Sequence, residues 1–252
     1  MRLEDILQIN MMTRGISTIE SDKARWFVIN YGPPASGKNS VKKNKEIVEL
    51  IQSNFLDIDI DVIVSDLFFQ QGNTDITNLT QELYWTLRKT ANEKSDNILI
   101  NSIIVRNNII WETTGRDRSY IKYVVDFVKQ YGYHVLLTIP IVYLDTEIAR
   151  CRSRKQPANC SFEYISDIRL KSYNNFKYVA SDCDRVLIFD NNNKLFVIYD
   201  STKESCGDIT NILSDPNITD LHNFIIDKCK PRTSLKQSKK RTRALTGPKT
   251  TV

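Results

Sequence analysis

The apolar positions along the chain fall into alternating strand-like and helix-like blocks, the pattern of an α/β domain. Leu3, Ile6, Leu7 and Ile9 have helical spacing and predict a short packed helix at the start. Phe27-Val28-Ile29 reads as a buried strand, and Val41, Ile47, Val48 and Ile51 predict one amphipathic helix running to about Asn54. From Phe55 to Asp61 apolar and polar residues alternate strictly, which predicts a strand whose wet face carries Asp57, Asp59 and Asp61. Leu79, Leu83 and Leu87 mark a helix, residues 95–105 read as helical, and Ile109-Ile110-Trp111-Glu112 is a short strand.

Ser119 is placed to cap a helix with Ile121, Val124, Val125 and Val128 on its inner face, ended by Gly132. His134 to Ile139 predicts another strand, with Pro140 marking a bulge or strand end. Asp145 reads as the cap of a helix bearing Arg150, Arg152 and Arg154. After a loop at Lys155 to Asn159, Phe162, Ile165, Ile168 and Phe176 form the inner face of a helix that carries Arg169. Val186 to Asp190 is the last parallel-strand candidate, and Leu195 to Tyr199 returns as a hairpin arm after three asparagines. Asp215-Pro216 breaks the chain before a closing helix with Leu221, Phe224 and Ile225.

Candidate chemistry begins in the loop after the first strand, which reads GPPASGKNS. Converging backbone N–H groups hold a triphosphate well, glycines let the backbone approach it, and a lysine reaches its outer phosphates. The spacing G-x-x-x-x-G-K is met from Gly32 to Lys38. Gly32, Pro33, Pro34, Ala35, Ser36, Gly37, Lys38, Asn39 and Ser40 are therefore the candidate nucleotide-binding segment. Asn39 stands where a Mg²⁺-binding hydroxyl is expected, and Ser40 follows it, so these two are the candidate metal ligands.

Ligands of open α/β sheets bind beyond the carboxyl ends of the strands. Asp61, at such an end, is the candidate general base, with Asp59 and Asp66 as rivals. Glu112 at a buried strand tip needs a partner, because an unpaired buried carboxylate is costly. The arginines Arg150, Arg154 and Arg169, in a helix-loop-helix late in the chain, read as a lid closing on phosphates.

Composition changes this picture in three ways. The 252 residues carry 41% hydrophobic and 26% charged side chains, ordinary for a globular domain with a full core. The net charge of +5 is uneven: nine Lys/Arg and no Asp/Glu lie between Lys228 and Val252, leaving −4 on the remainder. The division expected is a domain at 1–229, with its core at 26–190, and a basic disordered tail at 230–252 whose Lys239 to Arg243 cluster can make weak nucleic-acid contact. Five cysteines without C-x-x-C spacing and two histidines argue against a zinc site and for free thiols in a reducing compartment. Glu4 and Asp5 interrupt the start, and the apolar run from Val135 to Leu144 is too short to span a bilayer, so a cytoplasmic protein is expected.

Several segments in order resemble the zeta toxin family of P-loop kinases, over about 27–190. They are GPPASGKNS, an Asp at the end of the second strand, IIWETTGRDRS followed by a helix and GYHVLLTIPIVYL, and the arginine-bearing helix near Asp145. The resemblance implies a five-stranded parallel sheet with helices on both faces. It also implies transfer of the γ-phosphate of ATP or GTP, with Mg²⁺, to a hydroxyl of a small molecule or nucleotide-sugar. It assigns Lys38 to the phosphates, Asp61 to the proton of the acceptor hydroxyl, Glu112, Thr113 and Thr114 to the acceptor, and Arg116 to the reacting phosphate. Arg150, Arg154 and Arg169 become the catalytic lid candidates. Asn39, a lid sequence unlike the family's and the lack of an antitoxin-like module are departures. The Asn/Ile/Lys-rich composition suits an AT-rich genome, such as that of a large DNA virus or its host.

Three functions fit these residues: a phosphotransferase acting on a small hydroxyl acceptor, a nucleotide-binding protein with little turnover in a structural or packaging role, and a nucleic-acid end kinase that uses the tail. The first draws on all the candidate residues together, since phosphoryl transfer chiefly needs positioning and charge neutralisation.

Overall fold

The computed structural model describes residues 2–15, 25–51, 55–154, 161–203, 205–206 and 219–229. The loop expected at Lys155 to Asn159, the break at Asp215-Pro216 and the basic tail lie outside them. The described elements in chain order are α1 (Leu3–Thr13), β1 (Arg25–Tyr31), α2 (Lys38–Lys42), α3 (Lys45–Ile51), β2 (Phe55–Ile58) and α4 (Ile60–Gln70). A short 3-10 turn, Ile76–Asn78, precedes α5 (Gln81–Ile104), β3 (Asn108–Thr113), α6 (Arg118–Gln130) and β4 (Tyr133–Ile141). The chain continues through α7 (Leu144–Arg152), α8 (Phe162–Ser181), β5 (Arg185–Asp190), β6 (Phe196–Asp200), β7 (Ser205–Cys206) and α9 (Thr219–Cys229).

One sheet of order β2-β3-β1-β4-β5-β6-β7 organises the molecule. Its first five strands are parallel, as expected. β6 is the expected hairpin arm, antiparallel to β5, and the short β7 adds a further antiparallel strand, so the sheet is wider than the five strands that the resemblance implied. Central strands are buried on both sides and so read as continuous apolar runs, with Phe27, Val28, Ile29 and Ile109, Ile110 at 1% exposure or less. The larger core packs α1, α4, α5, α6 and α8 on one face, and the smaller one packs Val41, Ile47 and Ile51 against Val28, Ile110 and Leu187 on the other.

Several boundaries differ from the sequence expectation for local reasons. The helix after the phosphate-loop segment is split at Lys43-Asn44, because Asn44 Oδ1 accepts from Glu46 N and starts α3 afresh, and Val48 is left exposed. The strand expected to reach Asp61 ends at Ile58, where Asp59 accepts from Asp61 N and caps α4. Such a cap contributes about 1 kcal/mol, enough to turn an alternating stretch into a helix start. Asp117 rather than Ser119 caps α6, and Tyr143 rather than Asp145 precedes α7. Phe162, expected inside, is 54% exposed.

Pro140 lies within β4 and pairs in register with Phe189 of β5. Pairing of β4 with β1 stops at Thr138, so at Pro140 the strand is an edge on that side and no ladder donor is missed. Cys183 is a free thiol, whereas Cys151 and Cys206 are disulfide-bonded, which corrects the expectation of free thiols. Bridging depends on Cα proximity set by the fold, which the spacing of cysteines does not reveal.

The antiparallel extension is fastened by Asp200. Its carboxylate is 2.7 Å from Arg185 Nη2 and accepts from Thr202 N at 3.0 Å, while Arg185 also meets Glu46 of α3 at 3.2 Å. Burial alone would raise the Asp200 pKa, but Arg185 and Thr202 override it and hold the group at about 2, down from 3.8. Asp200→Asn should cost about 2 kcal/mol in urea unfolding at neutral pH, less than for a fully buried pair because Arg185 retains Glu46. A group with a depressed folded-state pKa stabilises above its unfolded value and loses that contribution as pH falls through the folded one. The gap between the two proteins should therefore be constant above pH 3.8 and close as pH falls towards about 2.

Candidate functional site

The loop after β1, the carboxyl end of β3, the first turn of α4, the first four turns of α5 and residues of α6, α7 and α8 enclose a cavity of about 990 Å³. Its phosphate-loop wall is formed by Pro34, Ala35, Gly37, Lys38 and Asn39. Gly37 has φ +95°, and a Cβ there would lie 1.9 Å from Asn191 Nδ2, so only glycine fits. That Asn191 amide donates to Ser36 O at 2.9 Å, and Arg150 Nη2 donates to Asn191 O at 3.0 Å. The turn after β5 and helix α7 thus brace the loop from outside. Ala35 also has positive φ, at +62°, a conformation costly for a residue with a Cβ and held by packing on Ile148, Cys151 and Ile165.

Lys38 Nζ donates to the carbonyls of Gly32 at 3.0 Å and Pro33 at 3.1 Å, folded back across its own loop. Burial pushes its pKa down, Glu112 offsets part of that, and nearby Arg154 lowers it further. An incoming polyanion is the partner that this ammonium lacks. Asn30 connects the loop to the sheet: its amide donates to Lys38 O at 3.0 Å and Glu112 Oε1 at 3.2 Å, and its carbonyl oxygen accepts from Thr138 Oγ1 at 3.2 Å.

Glu112, Thr113 and Thr114 line the cavity as the strand-end position of β3 requires. Burial raises the Glu112 pKa, an effect that Lys38 opposes and Asp59 reinforces. Gly115 follows with φ +78°, where a Cβ would lie 2.1 Å from the Tyr31 ring. The close approach lets Tyr31 and Asn175 donate to Gly115 O at 3.2 and 3.0 Å, fixing the path of the chain past Thr114 to the exposed Arg116 at the cavity wall.

Asp61 lines the cavity from the first turn of α4 rather than from a strand. Its Oδ1 accepts from Tyr84 OH at 2.7 Å and Arg88 Nη1 at 3.1 Å, and Arg154 Nη1 lies 3.9 Å from Oδ2. Arg88 also stands over the Tyr84 and Trp85 rings at 5.7 and 5.8 Å. Trp85, Trp111, Tyr120 and Tyr164 give this end of the cavity aromatic walls.

Arg116, Arg150 and Arg154 all line the cavity, but Arg169 does not. Arg169 is 1% exposed, paired with Glu147 at 3.0 Å and donating to Val142 O at 2.6 Å, so it ties α8 to α7 and the end of β4. Its assignment to a lid is corrected on that ground: a guanidinium committed to a buried pair cannot swing to a substrate. Sequence reasoning missed Asn30, Lys42, Tyr84, Arg88 and Asn191. Asn30 carried a readable signal, a polar residue inside an apolar strand.

The metal candidates fare less well. Asn39 is exposed and lines the cavity, whereas Ser40 is exposed outside it, one helical step further round. Lys42 Nζ already lies 2.6 Å from both Glu112 and Asp57. No group of three His, Cys, Asp or Glu residues among the described ones is arranged to hold a metal. The donor set fits the expected Mg²⁺ ion poorly: Asn39 brings an amide where a hydroxyl is expected, Ser40 does not line the cavity, and Glu112 is already engaged by Lys42.

No known family model matches the chain. A relative, uncharacterized protein L872 of Acanthamoeba polyphaga mimivirus, is 24% identical over 256 residues, 83% of this chain and 72% of that protein. Among solved structures, the PezAT chromosomal toxin-antitoxin system of Streptococcus pneumoniae matches 90% of this chain and 93% of its own, with 16% identity and TM-score 0.51. The AvrRxo1-ORF1:-ORF2 complex with ATP matches 92% and 71%, with 14% identity and TM-score 0.54. The fold is that of the zeta-toxin-like P-loop kinases. Within this fold the loop from Gly32 to Lys38 follows β1, and the antiparallel β6 and β7 complete the sheet. No described helix is long and apolar enough to cross a membrane, and the mimivirus relative agrees with the AT-rich composition.

Arg169→Met should lose about 3–5 kcal/mol of unfolding free energy, the cost of breaking a buried ion pair. Nucleotide affinity of the remaining folded protein should stay within about threefold, a change of under 1 kcal/mol. A lid residue would give the opposite result, intact stability with impaired handling of the nucleotide.

Proposed function

We propose that the protein is an ATP-dependent phosphotransferase that moves the γ-phosphate to a hydroxyl of a small acceptor. The observation that carries this reading is the convergence of the Lys38 loop, Asp61 and the guanidinium groups of Arg88, Arg116, Arg150 and Arg154 on one cavity. A cavity of about 990 Å³ is at the upper end of single-ligand pockets, room for the phosphates of a nucleotide and an acceptor side by side. The likeness to a complex that contains ATP supports the choice of nucleotide.

In this reading the backbone N–H groups of Ala35, Gly37, Lys38 and Asn39 and the Lys38 ammonium hold the phosphates. Asp61 takes the proton of the acceptor hydroxyl as its oxygen bonds to the γ-phosphorus, and the bond from that phosphorus to the bridging oxygen of the leaving diphosphate breaks. Tyr84 and Arg88 orient Asp61. Arg154, between Asp61 and Lys38, and Arg150 beside the loop neutralise charge on the transferring group. Glu112, Thr113 and Thr114 position the acceptor, and the aromatic walls favour one with a flat or apolar part.

A second reading, nucleotide binding with little turnover, is favoured by the same contacts on Asp61. A carboxylate that already accepts from Tyr84 and Arg88 and faces Arg154 has much of its acceptor capacity occupied before any hydroxyl arrives. The two separate in an assay of labelled-phosphate transfer to a panel of hydroxyl compounds. Lys38→Ala should weaken ATP binding about tenfold or more, the loss of a charge-assisted contact. Asp61→Asn should leave binding within about threefold and cut transfer about a hundredfold or more, as expected for a general base. Transfer unaffected in Asp61→Asn would refute the base assignment, and saturable binding with no product would favour the second reading.

A further inference from the structure

Behind the cavity wall, Lys42 stands where charge neutralisation of the strand-end carboxylates is needed. Its Nζ is 2.6 Å from Glu112 Oε1, 2.6 Å from Asp57 Oδ2 and 3.7 Å from Asp59 Oδ2. The three carboxylates come from three elements, β3, β2 and the cap of α4, and the ammonium at the end of α2 is the cation they share. The Lys42, Glu112 and Asp59 side chains are only 10%, 12% and 12% exposed, so water screens the cluster weakly. Glu112 and Asp59 line the cavity, while Lys42 and Asp57 do not, which places the ammonium on the far side of the carboxylates from any ligand.

Burial works against the charge of Lys42, but Glu112 and Asp57 outweigh it, and its pKa is raised. Contacts of 2.6 Å to two carboxylates hold the ammonium in place. A divalent cation drawn to Glu112 must either displace it, breaking its short hydrogen bonds to Glu112 and Asp57, or settle beside a like charge. The hydroxyl that usually helps to hold such a cation is replaced by Asn39, and Ser40 points out of the cavity region. Both features act in one direction. With Lys42 neutralising the carboxylates from behind, Lys38, Arg150 and Arg154 on the cavity side are left to face phosphate oxygens.

We propose that Lys42 is a tethered counter-ion that replaces a divalent cation at this site, so that nucleotide phosphates bind the loop without Mg²⁺. The proposal rests on the phosphate-loop reading above, and its tests separate the two. ATP binding to the full chain is measured calorimetrically in excess MgCl₂ and in excess EDTA. Wild-type dissociation constants should agree within about threefold between the two conditions. Lys42→Met should bind ATP about tenfold or more weakly in EDTA and regain affinity in MgCl₂, while Lys42→Arg should behave as wild type. In a second arm without nucleotide, Mn²⁺ alone is titrated and followed by electron paramagnetic resonance. Wild type should bind no Mn²⁺ at the carboxylates, and Lys42→Met should gain a site that Glu112→Gln in the same background removes.

Wild-type affinity falling about tenfold in EDTA, or Mn²⁺ binding by the wild type that Glu112→Gln abolishes, overturns the proposal. Neither wild-type arm needs a variant lacking Lys42 to fold. Absence of ATP binding in both conditions, with Lys38→Ala indistinguishable from wild type, refutes the phosphate-loop reading and the nucleotide half of the proposal together. The Mn²⁺ arm still decides the counter-ion role.

Discussion

The Asn30 side chain, 1% exposed in the middle of the sheet, is satisfied by three elements at once: Lys38 O after the loop, Glu112 on β3 and Thr138 on β4. A buried amide without partners costs several kcal/mol by transfer estimates, so these three contacts are obligatory. Register makes them available, because β1 sets Asn30 directly beside Glu112 on one side and Thr138 on the other. A slip of one residue would turn Glu112 in the β3 pairing, or Thr138 in the β4 pairing, to the opposite face and deprive Asn30 of that partner. The polar requirement of one residue thereby fixes where the loop begins its helix and where the strand-end carboxylate stands. The shape of the cavity floor follows from both.

Electrostatics builds on that geometry. Lys38 and Glu112 are each pushed by burial towards their neutral forms, and each partly restores the charge of the other. Lys42 on one side and Asn30 on the other consume acceptor capacity of Glu112, which is thus held in place rather than free to rotate. Lys38 has only the carbonyls of its own loop. The carboxylates of the site are thus matched within the protein, while Lys38, which no carboxylate among the described residues meets directly, lines the cavity.

The loop after β1, proposed to hold phosphates, was legible in the sequence because it is local. Gly32, Gly37 and Lys38 occur at fixed spacing within one loop, and the backbone conformation they require depends on little else. The five parallel strands were legible for a similar reason, as apolar runs ended by turn residues. Failures came where a side chain redirected the backbone or was claimed by distant partners. Asp59 ended a strand that the alternation extended to Asp61, and Asn44 split a helix that the apolar stripe carried through. Arg169 looked like its basic neighbours until α7 supplied Glu147, a residue twenty-two positions away in sequence and in direct contact in space.

The end of the cavity around Asp61 was less legible, and the reason is physical. With β2 ending at Ile58, Asp61 takes its position from α4, and α4 takes its own from packing on the 24-residue helix α5. The groups that hold the Asp61 carboxylate, Tyr84 and Arg88, are one turn apart on α5, where a reader sees only an aromatic and a basic residue on a polar helix face. In the proposed reading, phosphate recognition rests on backbone conformation within one loop, whereas recognition of the second ligand rests on side chains that two helices bring together, so the first is local in the sequence and the second is not.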